Sequence, residues 1–371
     1  MKANSSFNIA VLPGDGIGCE VIPSCIEVLD AAIGHVGGFS LNYEWLDAGA
    51  NTYRDSGTAL PKPTLKACAR ADAILLGAMG LPDVRYPDGT EIAPQLDLRF
   101  EFGLYAGVRP TRAVPGIPRM LADQRAQNID FVLIRESTEG LFASRGKGVI
   151  KNDRVARDTM VITRDTSERL FDFSFRLAAQ RPGEHPRRVT CVDKANVFKS
   201  FAFFRKIFDE RAARYPGIAA DHVYVDATAL SLILRPWDFD VLVTENMFGD
   251  ILSDLAAGLI GGMGYAPSAD IGDEHAVFQP AHGTAPDIAG FGKANPIATI
   301  LSGMMMLEWL GERHNFAPAR KAATLIRRAV DRAFAGGRLL TCELGGHAGT
   351  SAVTHAVLVE LADMPTKAET A

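Results

Sequence analysis

The sequence lacks the features that mark several common classes of protein. It has five cysteines, an odd number with no Cys-x-x-Cys pair, which indicates neither a disulfide framework nor a structural zinc site. The net charge of −5 is small, so the chain lacks the basic surface that nucleic acid or an anionic membrane requires. No apolar run approaches the ~18 residues of a membrane span, and residues 1–16 contain no apolar core of a secretory signal. We therefore expect a cytoplasmic protein that binds neither nucleic acid nor membrane.

The rest of the composition is that of a globular protein with alternating strands and helices. Hydrophobic residues make up 47% of the 371 residues, and the chain exceeds the ~250 to 300 residues at which a single core stops growing, so two domains are expected. Short apolar runs alternate with amphipathic, helix-like stretches such as residues 167–181 and 199–215. This alternation predicts an α/β fold with helices on both faces of the sheet. The predicted strands are residues 7–12, 71–77, 129–134, 187–192, 222–226, 239–244 and 275–279.

The segment at residues 142–164 does not fit this alternation. Its later half alternates loosely between apolar and polar residues, as a hairpin does. The segment is either an arm that pairs with another subunit or an excursion into solvent.

The stretch LPGDGIG, residues 12–18, directly follows the first predicted strand and precedes a helix-like stretch. Its glycine spacing is not the G-x-G-x-x-G of dinucleotide-binding folds. A tight glycine turn between strand and helix is the alternative interpretation.

Three aspartates are candidates for a metal site. Asp226 ends the predicted strand 222–226, and Asp250 and Asp254 lie four residues apart in TENMFGDILSD, residues 244–254. On a helix this spacing places two like charges one turn apart, where they repel by a few tenths of a kcal/mol. Mg²⁺ or Mn²⁺ prefers oxygen ligands and would remove the repulsion. The alternative is that Asp250 caps a helix and Asp254 is solvated.

Four basic residues are candidates for binding and catalysis. Arg99, Arg109 and Arg135 each carry a planar guanidinium that matches a carboxylate, so their convergence would suit a substrate with two or more carboxylates. Lys194 follows an apolar strand, and a nearby metal and arginines would lower its pKa and make it a general base. Taken singly, each is also explained as a surface ion pair or a solvated strand end.

The stretch HGTAPDIAG, residues 282–290, contains a candidate nucleotide contact. The carboxylate of Asp287 can accept hydrogen bonds from a ribose diol and would repel a 2′-phosphate. The alternative is a glycine- and proline-containing loop without a ligand.

Taken together and in order, the motifs LPGDGIG, LR-x9-RP, IRESTEG, VDKANV, TENMFGDILSD and HGTAPDIAG-x2-KANP resemble the isocitrate/isopropylmalate dehydrogenase family, the metal-dependent β-decarboxylating dehydrogenases. The resemblance runs from about residue 7 to the CELGGHAGT stretch. It implies an isopropylmalate dehydrogenase-like two-domain fold with mixed parallel and antiparallel sheets covered by helices, not a Rossmann fold. Residues 1–104 and 261–371 would form the larger, cofactor-binding domain. Residues 105–260 would form the central domain with the arm, the dimer interface and the metal ligands.

The resemblance also implies roles for the candidate residues. Asp226, Asp250 and Asp254 match the ligands of Mg²⁺ or Mn²⁺, and Lys194 matches the residue that relays the proton from the substrate's C2 hydroxyl. Lys194 and Asp226 would reach into the neighbouring subunit's site, so a homodimer is expected. The three arginines would bind the malate part of a hydroxy-dicarboxylate substrate.

The HGTAPD loop resembles the family's cofactor loop, with Asp287 at the adenosine ribose. NADP-dependent relatives have a lysine at that position, so the expected cofactor is NAD⁺. The residues expected at the cofactor are Asn196, Gln279, His282, Gly283, Thr284, Ala285, Pro286, Asp287, Ile288 and Asn295.

Three positions depart from the family pattern. Phe142 stands where the family has the tyrosine that protonates the enol, and phenylalanine has no proton to donate. Gln279 stands where isopropylmalate enzymes have glutamate. Ile92, Gln95 and Leu96 are expected to face the C3 substituent, and burying the Gln95 amide against an isopropyl group would cost about 1 to 3 kcal/mol. The expected activity is oxidation of a 3-substituted (R)-malate, as in 3-isopropylmalate dehydrogenase. The alternatives are a tartrate or D-malate dehydrogenase and a non-catalytic paralogue that regulates a partner.

Overall fold

The computed structural model of the protein describes residues 5–181, 183 and 185–364, along which twelve strands and eleven α-helices alternate. The strands are β1 (Ser5–Gly14), β2 (Phe39–Trp45), β3 (Ala73–Ala78), β4 (Ala106–Arg112), β5 (Asp130–Glu136), β6 (Val149–Lys151), β7 (Val155–Arg157), β8 (Arg188–Asp193), β9 (Ala219–Tyr224), β10 (Val241–Thr244), β11 (Pro267–Ile271) and β12 (Ala276–Pro280). The helices are α1 (Gly18–Val36), α2 (Ala50–Ser56), α3 (Lys62–Arg70), α4 (Pro94–Glu101), α5 (Arg164–Gln180), α6 (Lys199–Ala212), α7 (Val225–Leu234), α8 (Asn246–Leu259), α9 (Ile297–Arg313), α10 (Ala317–Ala335) and α11 (Thr350–Ala362).

Ten of the strands form one sheet, in the order β2-β1-β3-β12-β11-β4-β5-β10-β8-β9. Neighbours pair in parallel except in the middle, where β11 is antiparallel to β12 and to β4, and β4 is antiparallel to β5. The predicted mixed sheet is therefore confirmed. The predicted division into two domains would cut this sheet between β4 and β11 and stays a prediction.

Helices cover both faces of the sheet, as the alternating pattern predicts. Helices α1, α9, α10 and α11 pack on one another beside β1, β3, β11 and β12, while α5 packs on β5, β8 and β10, and α6 on α5 and β8. Helix α8 also packs on β5, against the side of the strand that carries Arg135. Strands β3 and β10 are buried along their whole length, because helices lie on both sides of them. Among the described residues, no helix has the length and apolarity needed to cross a bilayer.

The predicted end of one strand is wrong. Asp226 does not end a strand, because β9 ends at Tyr224 and Asp226 lies in the first turn of α7. Strand β9 pairs residue for residue with β8, whose last residue is Asp193, opposite Tyr224. The pairing of β9 with β8 therefore ends at Tyr224, and the apolar sequence that follows forms helix α7.

The LPGDGIG stretch is the tight glycine turn of the alternative interpretation. Gly14 and Gly16 have φ of +74° and +55°, and a Cβ on Gly16 would lie 2.1 Å from the carbonyl oxygen of Thr284. The backbone N–H of Ile17 donates to the same carbonyl at 2.9 Å. The buried carboxylate of Asp15 accepts backbone N–H donors from the start of α2 and from Gly80 after β3. The turn therefore holds the HGTAPD loop against the start of α1.

Residues 142–164 contain a hairpin, as predicted, but it lies in the middle of the segment and not in its later half. Strands β6 and β7 pair antiparallel with each other and form a two-stranded sheet separate from the main one. Val149, Ile150 and Val155 are 61%, 74% and 44% exposed. Three exposed apolar residues on a short hairpin are suited to a contact with another protein surface.

Candidate active site

The three predicted substrate arginines lie together at the middle of the sheet. Arg99 is in α4, Arg109 in β4 and Arg135 near the end of β5, and their residues are 6%, 6% and 4% exposed. Burial and the neighbouring guanidinium of Arg99 lower the pKa of Arg135 to about 10. Three buried guanidinium groups of like charge need anionic partners.

One such partner is Asp270 in β11, which the sequence analysis missed. Its carboxylate accepts a hydrogen bond from Arg99 Nε at 3.0 Å and one from Arg109 Nη2 at 3.3 Å. Ser137 Oγ and Gln279 Nε2 donate to it as well, at 3.1 and 2.9 Å. A signal was present in the sequence, because an aspartate within an otherwise buried strand must be paired.

Arg135 is held by the first turns of α8. Its Nε and Nη2 donate to Oδ1 of Asn246 at 2.9 and 2.7 Å, and its Nη1 donates to the carboxylate of Asp250. The Arg135 Cζ lies 5.0 Å from the ring centroid of Phe142, a cation–π distance. Helix α8 can lie this close to Arg135 because Gly249 has no side chain, since a Cβ there would lie 2.6 Å from the Cβ of Arg135.

Asp250 and Asp254 lie one turn apart on α8, as predicted. The N-cap of this helix is Glu245, which accepts the backbone N–H groups of Met247 and Phe248 at 3.1 and 2.7 Å. The alternative that Asp250 caps the helix is therefore wrong. Partial desolvation and the charge of Asp250 raise the pKa of Asp254, so the predicted repulsion is present. The nearby arginines offset this repulsion only in part, and two adjacent carboxylates of this kind fit a divalent cation.

Lys194 and Asp226 form a second, separate pair. Lys194 Nζ donates to Asp226 Oδ1 at 2.5 Å, and this hydrogen bond lowers the pKa of Asp226. The Asp226 side chain is 69% exposed. In the part of the chain that the structure describes, no cluster of three His, Cys, Asp or Glu side chains could hold a metal ion. A single chain thus does not bring Asp226 to Asp250 and Asp254.

The HGTAPD loop contains a polar atom without a partner. His282 Nδ1 donates to the carbonyl of Gly283 at 2.9 Å, while its Nε2 is buried and has no hydrogen-bond partner. Burial lowers the pKa of His282, which keeps the ring neutral and Nε2 an acceptor. Thr284 Oγ1 donates to the carbonyl of Gly80 at 2.7 Å and fixes the loop. A buried, unpartnered ring nitrogen on a fixed loop fits a bound cofactor.

The other predicted cofactor residues are spread around this loop. Asp287 and Pro286 are exposed, and Ala285 has a φ of +37°. Ile288 is half-buried and packs with Ala285 on the apolar cluster at the start of α1. Gln279 is hydrogen-bonded to Asp270.

Two further predicted cofactor residues lie outside the loop. The Asn295 amide donates to Oε2 of Glu343 at 3.2 Å, and its Oδ1 accepts the N–H of Ile297. Asn196, two residues after Lys194, is exposed.

The residues predicted to face the substrate's C3 substituent lie on and just before α4. Gln95 precedes Arg99 by one helical turn, and its Oε1 is buried without a hydrogen-bond partner. Ile92 is fully buried in a small apolar cluster with Leu81, and Leu96 is partly exposed. Gln95 therefore presents an unmet acceptor beside the arginine cluster.

Comparison with known proteins gives consistent matches over almost the whole chain. The sequence model described as isocitrate/isopropylmalate dehydrogenase matches residues 8–357. A 3-isopropylmalate/3-methylmalate dehydrogenase of Methanocaldococcus jannaschii is 42% identical over 344 residues, which cover 92% of this chain and 95% of that protein. A homoisocitrate dehydrogenase of the same organism is 41% identical over 359 residues, covering 95% of this chain and 97% of that protein. The crystal structure of an isocitrate dehydrogenase from Methylococcus capsulatus has a TM-score of 0.83 at 37% identity and covers 96% of this chain and 99% of that one.

The fold and these matches define an oxidoreductase of the decarboxylating hydroxy-acid dehydrogenase class. The chain belongs to the isocitrate/isopropylmalate dehydrogenase family. The family and the fold predicted from the sequence motifs are thereby confirmed.

Proposed function

We propose that the protein oxidises a 3-substituted (R)-malate with NAD⁺ and Mg²⁺ or Mn²⁺, and that the oxidation is followed by decarboxylation, as in 3-isopropylmalate dehydrogenase. The observation that carries the proposal is the cluster of buried Arg99, Arg109 and Arg135 next to the paired carboxylates of Asp250 and Asp254. Guanidinium groups suit the substrate's carboxylates, and the paired carboxylates suit a divalent cation. The five unpaired cysteines, all among the described residues, agree with a cytoplasmic site of action.

The chain's own residues would bind, orient and deprotonate the substrate. Asp250 and Asp254, with Asp226 of a second copy, would hold the metal, and the HGTAPD loop would hold NAD⁺. When bound, the cation supplies Lewis acidity at the substrate's hydroxyl, and nicotinamide supplies a hydride acceptor. Lys194 Nζ would take the hydroxyl proton, and its 2.5 Å hydrogen bond to Asp226 fixes its position.

Phe142 limits the final protonation. Its ring packs on Arg135 but has no proton to give. After the β-carboxylate leaves as CO₂, the enolate would have to take its proton from water or Lys194. We expect Phe142→Tyr to increase CO₂ release several-fold without tightening substrate binding, measured as CO₂ formed and as KM. No turnover in either form would favour the non-catalytic paralogue, although such a protein would need neither the Lys194 base nor the aspartate pair.

A homodimer with shared active sites is part of the proposal. Leu230 and Leu234 on α7 are 60% and 62% exposed, and Ile251 on α8 is 61% exposed. A group of large exposed apolar residues on two adjacent helices marks a surface that contacts another protein. Helix α7 also carries Asp226 and α8 carries Asp250, so a second copy packed on this face would bring the two carboxylates towards each other.

Tartrate or D-malate is the second candidate substrate. The observation that favours it is the buried Oε1 of Gln95, which accepts no hydrogen bond. An isopropyl group would leave this acceptor unmet at a cost of about 1 to 3 kcal/mol. The C3 hydroxyl of tartrate would satisfy it, and the unsubstituted C3 of D-malate would leave room for a water that does so.

The test is NADH formation by the purified protein with 3-isopropylmalate, D-malate, tartrate or isocitrate in the presence of Mn²⁺. We expect turnover with at least one of the first three acids, loss of turnover on adding a chelator, and loss on Lys194→Ala. An exposed lysine such as Lys66 provides the matched control, since Lys66→Ala removes a charge outside the site. Absence of NADH with every acid would contradict the proposal.

A further inference from the structure

Asp270 points from β11 into the arginine cluster. Its side chain is 1% exposed, and four donors surround its two oxygens. Oδ2 accepts from Arg99 Nε and Gln279 Nε2 at 3.0 and 2.9 Å. Oδ1 accepts from Arg109 Nη2 and Ser137 Oγ at 3.3 and 3.1 Å. The carboxylate is thus fully hydrogen-bonded inside the pocket, and it is not a surface group.

Asp270 carries a negative charge in this position. Burial alone would raise the pKa of its carboxyl, but the guanidinium groups of Arg99, Arg109 and Arg135 outweigh burial and hold the pKa below its usual value. The charge therefore neutralises part of the cluster that would bind an anionic substrate.

The charges of the site then set the charge of the substrate. Three arginines face three carboxylates, those of Asp250, Asp254 and Asp270, and the six charges cancel. Lys194 and Asp226 add one charge of each sign in the hydrogen-bonded ion pair of the substrate-free protein, which is the state that the substrate first meets. A divalent cation, as in the proposed function, would leave two positive charges for the substrate to balance. A dicarboxylate balances them, whereas a tricarboxylate leaves one desolvated negative charge without a partner.

We propose that Asp270 is a specificity-determining positioning residue, which restricts the site to dicarboxylates because its carboxylate neutralises one positive charge of the arginine cluster. The inference rests on the proposed function and narrows its substrate class. Relatives at similar identity are named for isopropylmalate and for homoisocitrate, so family membership alone does not settle the number of substrate carboxylates.

The experiment is calorimetric binding of D-malate and of isocitrate to the Mn²⁺-loaded protein without NAD⁺, so that no oxidation occurs. The two acids differ by a carboxymethyl group on C3. We expect wild type to bind D-malate at least about ten-fold more tightly than isocitrate, and Asp270→Asn to shift the ratio of the two dissociation constants at least about ten-fold towards isocitrate. Asp331→Asn is the matched control, because Asp331 pairs with Arg112 at 2.5 Å away from the cluster and its loss leaves the ratio unchanged.

Two results would overturn the inference. One is equal or tighter binding of isocitrate by wild type, a comparison that needs no variant to fold. The other is an unchanged ratio in folded Asp270→Asn and in Asp270→Ser, which removes the charge with a different shape. Both leave the proposed function standing, since NADH formation tests it separately. A preserved binding preference without NADH from any acid would overturn the proposed function alone. Failure of both acids to bind would overturn the inference, and NADH formation with 3-isopropylmalate or tartrate would still decide the proposed function.

Discussion

At the scale of the single residue, the site is built from buried charges that are stable only because of specific partners. Glu136, the neighbour of Arg135, is a further buried charge outside the arginine cluster. It is 3% exposed and accepts hydrogen bonds from the N–H and hydroxyl of Thr138 at 2.6 Å and from the N–H of Glu139 at 2.7 Å. Burial nevertheless outweighs these donors and raises the pKa of Glu136 from 4.5 to about 7.

The raised pKa of Glu136 predicts a pH-dependent stability. A carboxyl that is harder to ionise in the folded protein than in the unfolded chain stabilises the fold below its ordinary pKa, and this contribution is lost as the pH rises from 4.5 through about 7. Glu136→Gln cannot ionise. We therefore expect the difference in unfolding free energy between variant and wild type to shift by up to about 3 kcal/mol in favour of the variant between roughly pH 5 and pH 8.

Urea unfolding at the two pH values measures this shift. The control is Glu101→Gln, which removes an exposed carboxylate from the end of α4. A Glu136→Gln difference that stays constant with pH, as expected of the control, would mean that the buried carboxyl does not resist ionisation.

At the scale of the element, helix α8 connects the proposed metal ligands to the buried arginine cluster. Its capping residue Glu245 fixes where the helix begins, its first turn supplies Asn246 to Arg135, and the next turn supplies Asp250. The helix lies close to β5 because Gly249 has no side chain. Its packing thus sets the distance between the carboxylates and the buried guanidinium.

Gly249→Ala should break this packing. Alanine normally stabilises a helix relative to glycine by roughly 0.5 to 1 kcal/mol. At position 249, however, the new Cβ would lie 2.6 Å from both Cβ and Cγ of Arg135, so the helix or the arginine must move. We expect a loss of about 1 to 3 kcal/mol in unfolding free energy and a rise in substrate KM of about ten-fold or more.

Gly258→Ala is the control on the same helix. A Cβ at position 258 meets no atom within 4 Å, so this variant should be as stable as wild type or slightly more stable, with unchanged KM. Thermal unfolding and steady-state kinetics compare the two variants. Equal behaviour of both would contradict the proposed role of Gly249.

The sequence alone could supply most of the elements but not β2, β4 and β11, and not all of the site. Each predicted strand overlaps an observed one, and most of them, such as β3 and β10, are continuous apolar runs because they are buried on both faces. The Asp250 and Asp254 pair was predictable, since helical spacing is local. The need of a buried Asp270 for a partner was predictable, but the partner was not, because Arg109 is 161 residues away and the pairing of β11 with β4 brings the two together. The helical position of Asp226 was missed for the same reason: the length of β9 is set by β8.

At the scale of the whole molecule, one continuous sheet places the arginine cluster at its antiparallel centre. Several of the exposed large apolar residues lie on α7, α8 and the hairpin of β6 and β7. Lys194 and Asp226 lie apart from Asp250 and Asp254 in one chain, yet the proposed reaction needs all four. A second copy is the proposed source of the missing pair, and this claim links assembly to catalysis.

Mixing two inactive variants tests this central claim most directly. Lys194→Ala and Asp250→Asn are each expected to be inactive, and they are denatured together and refolded as a mixture. In a mixed dimer with shared sites, one site combines Asp250 of one chain with Lys194 of the other and is intact, so about a quarter of wild-type NADH formation should return. Activity that stays at the level of the separate variants, in a mixture shown to contain mixed dimers, would contradict the account.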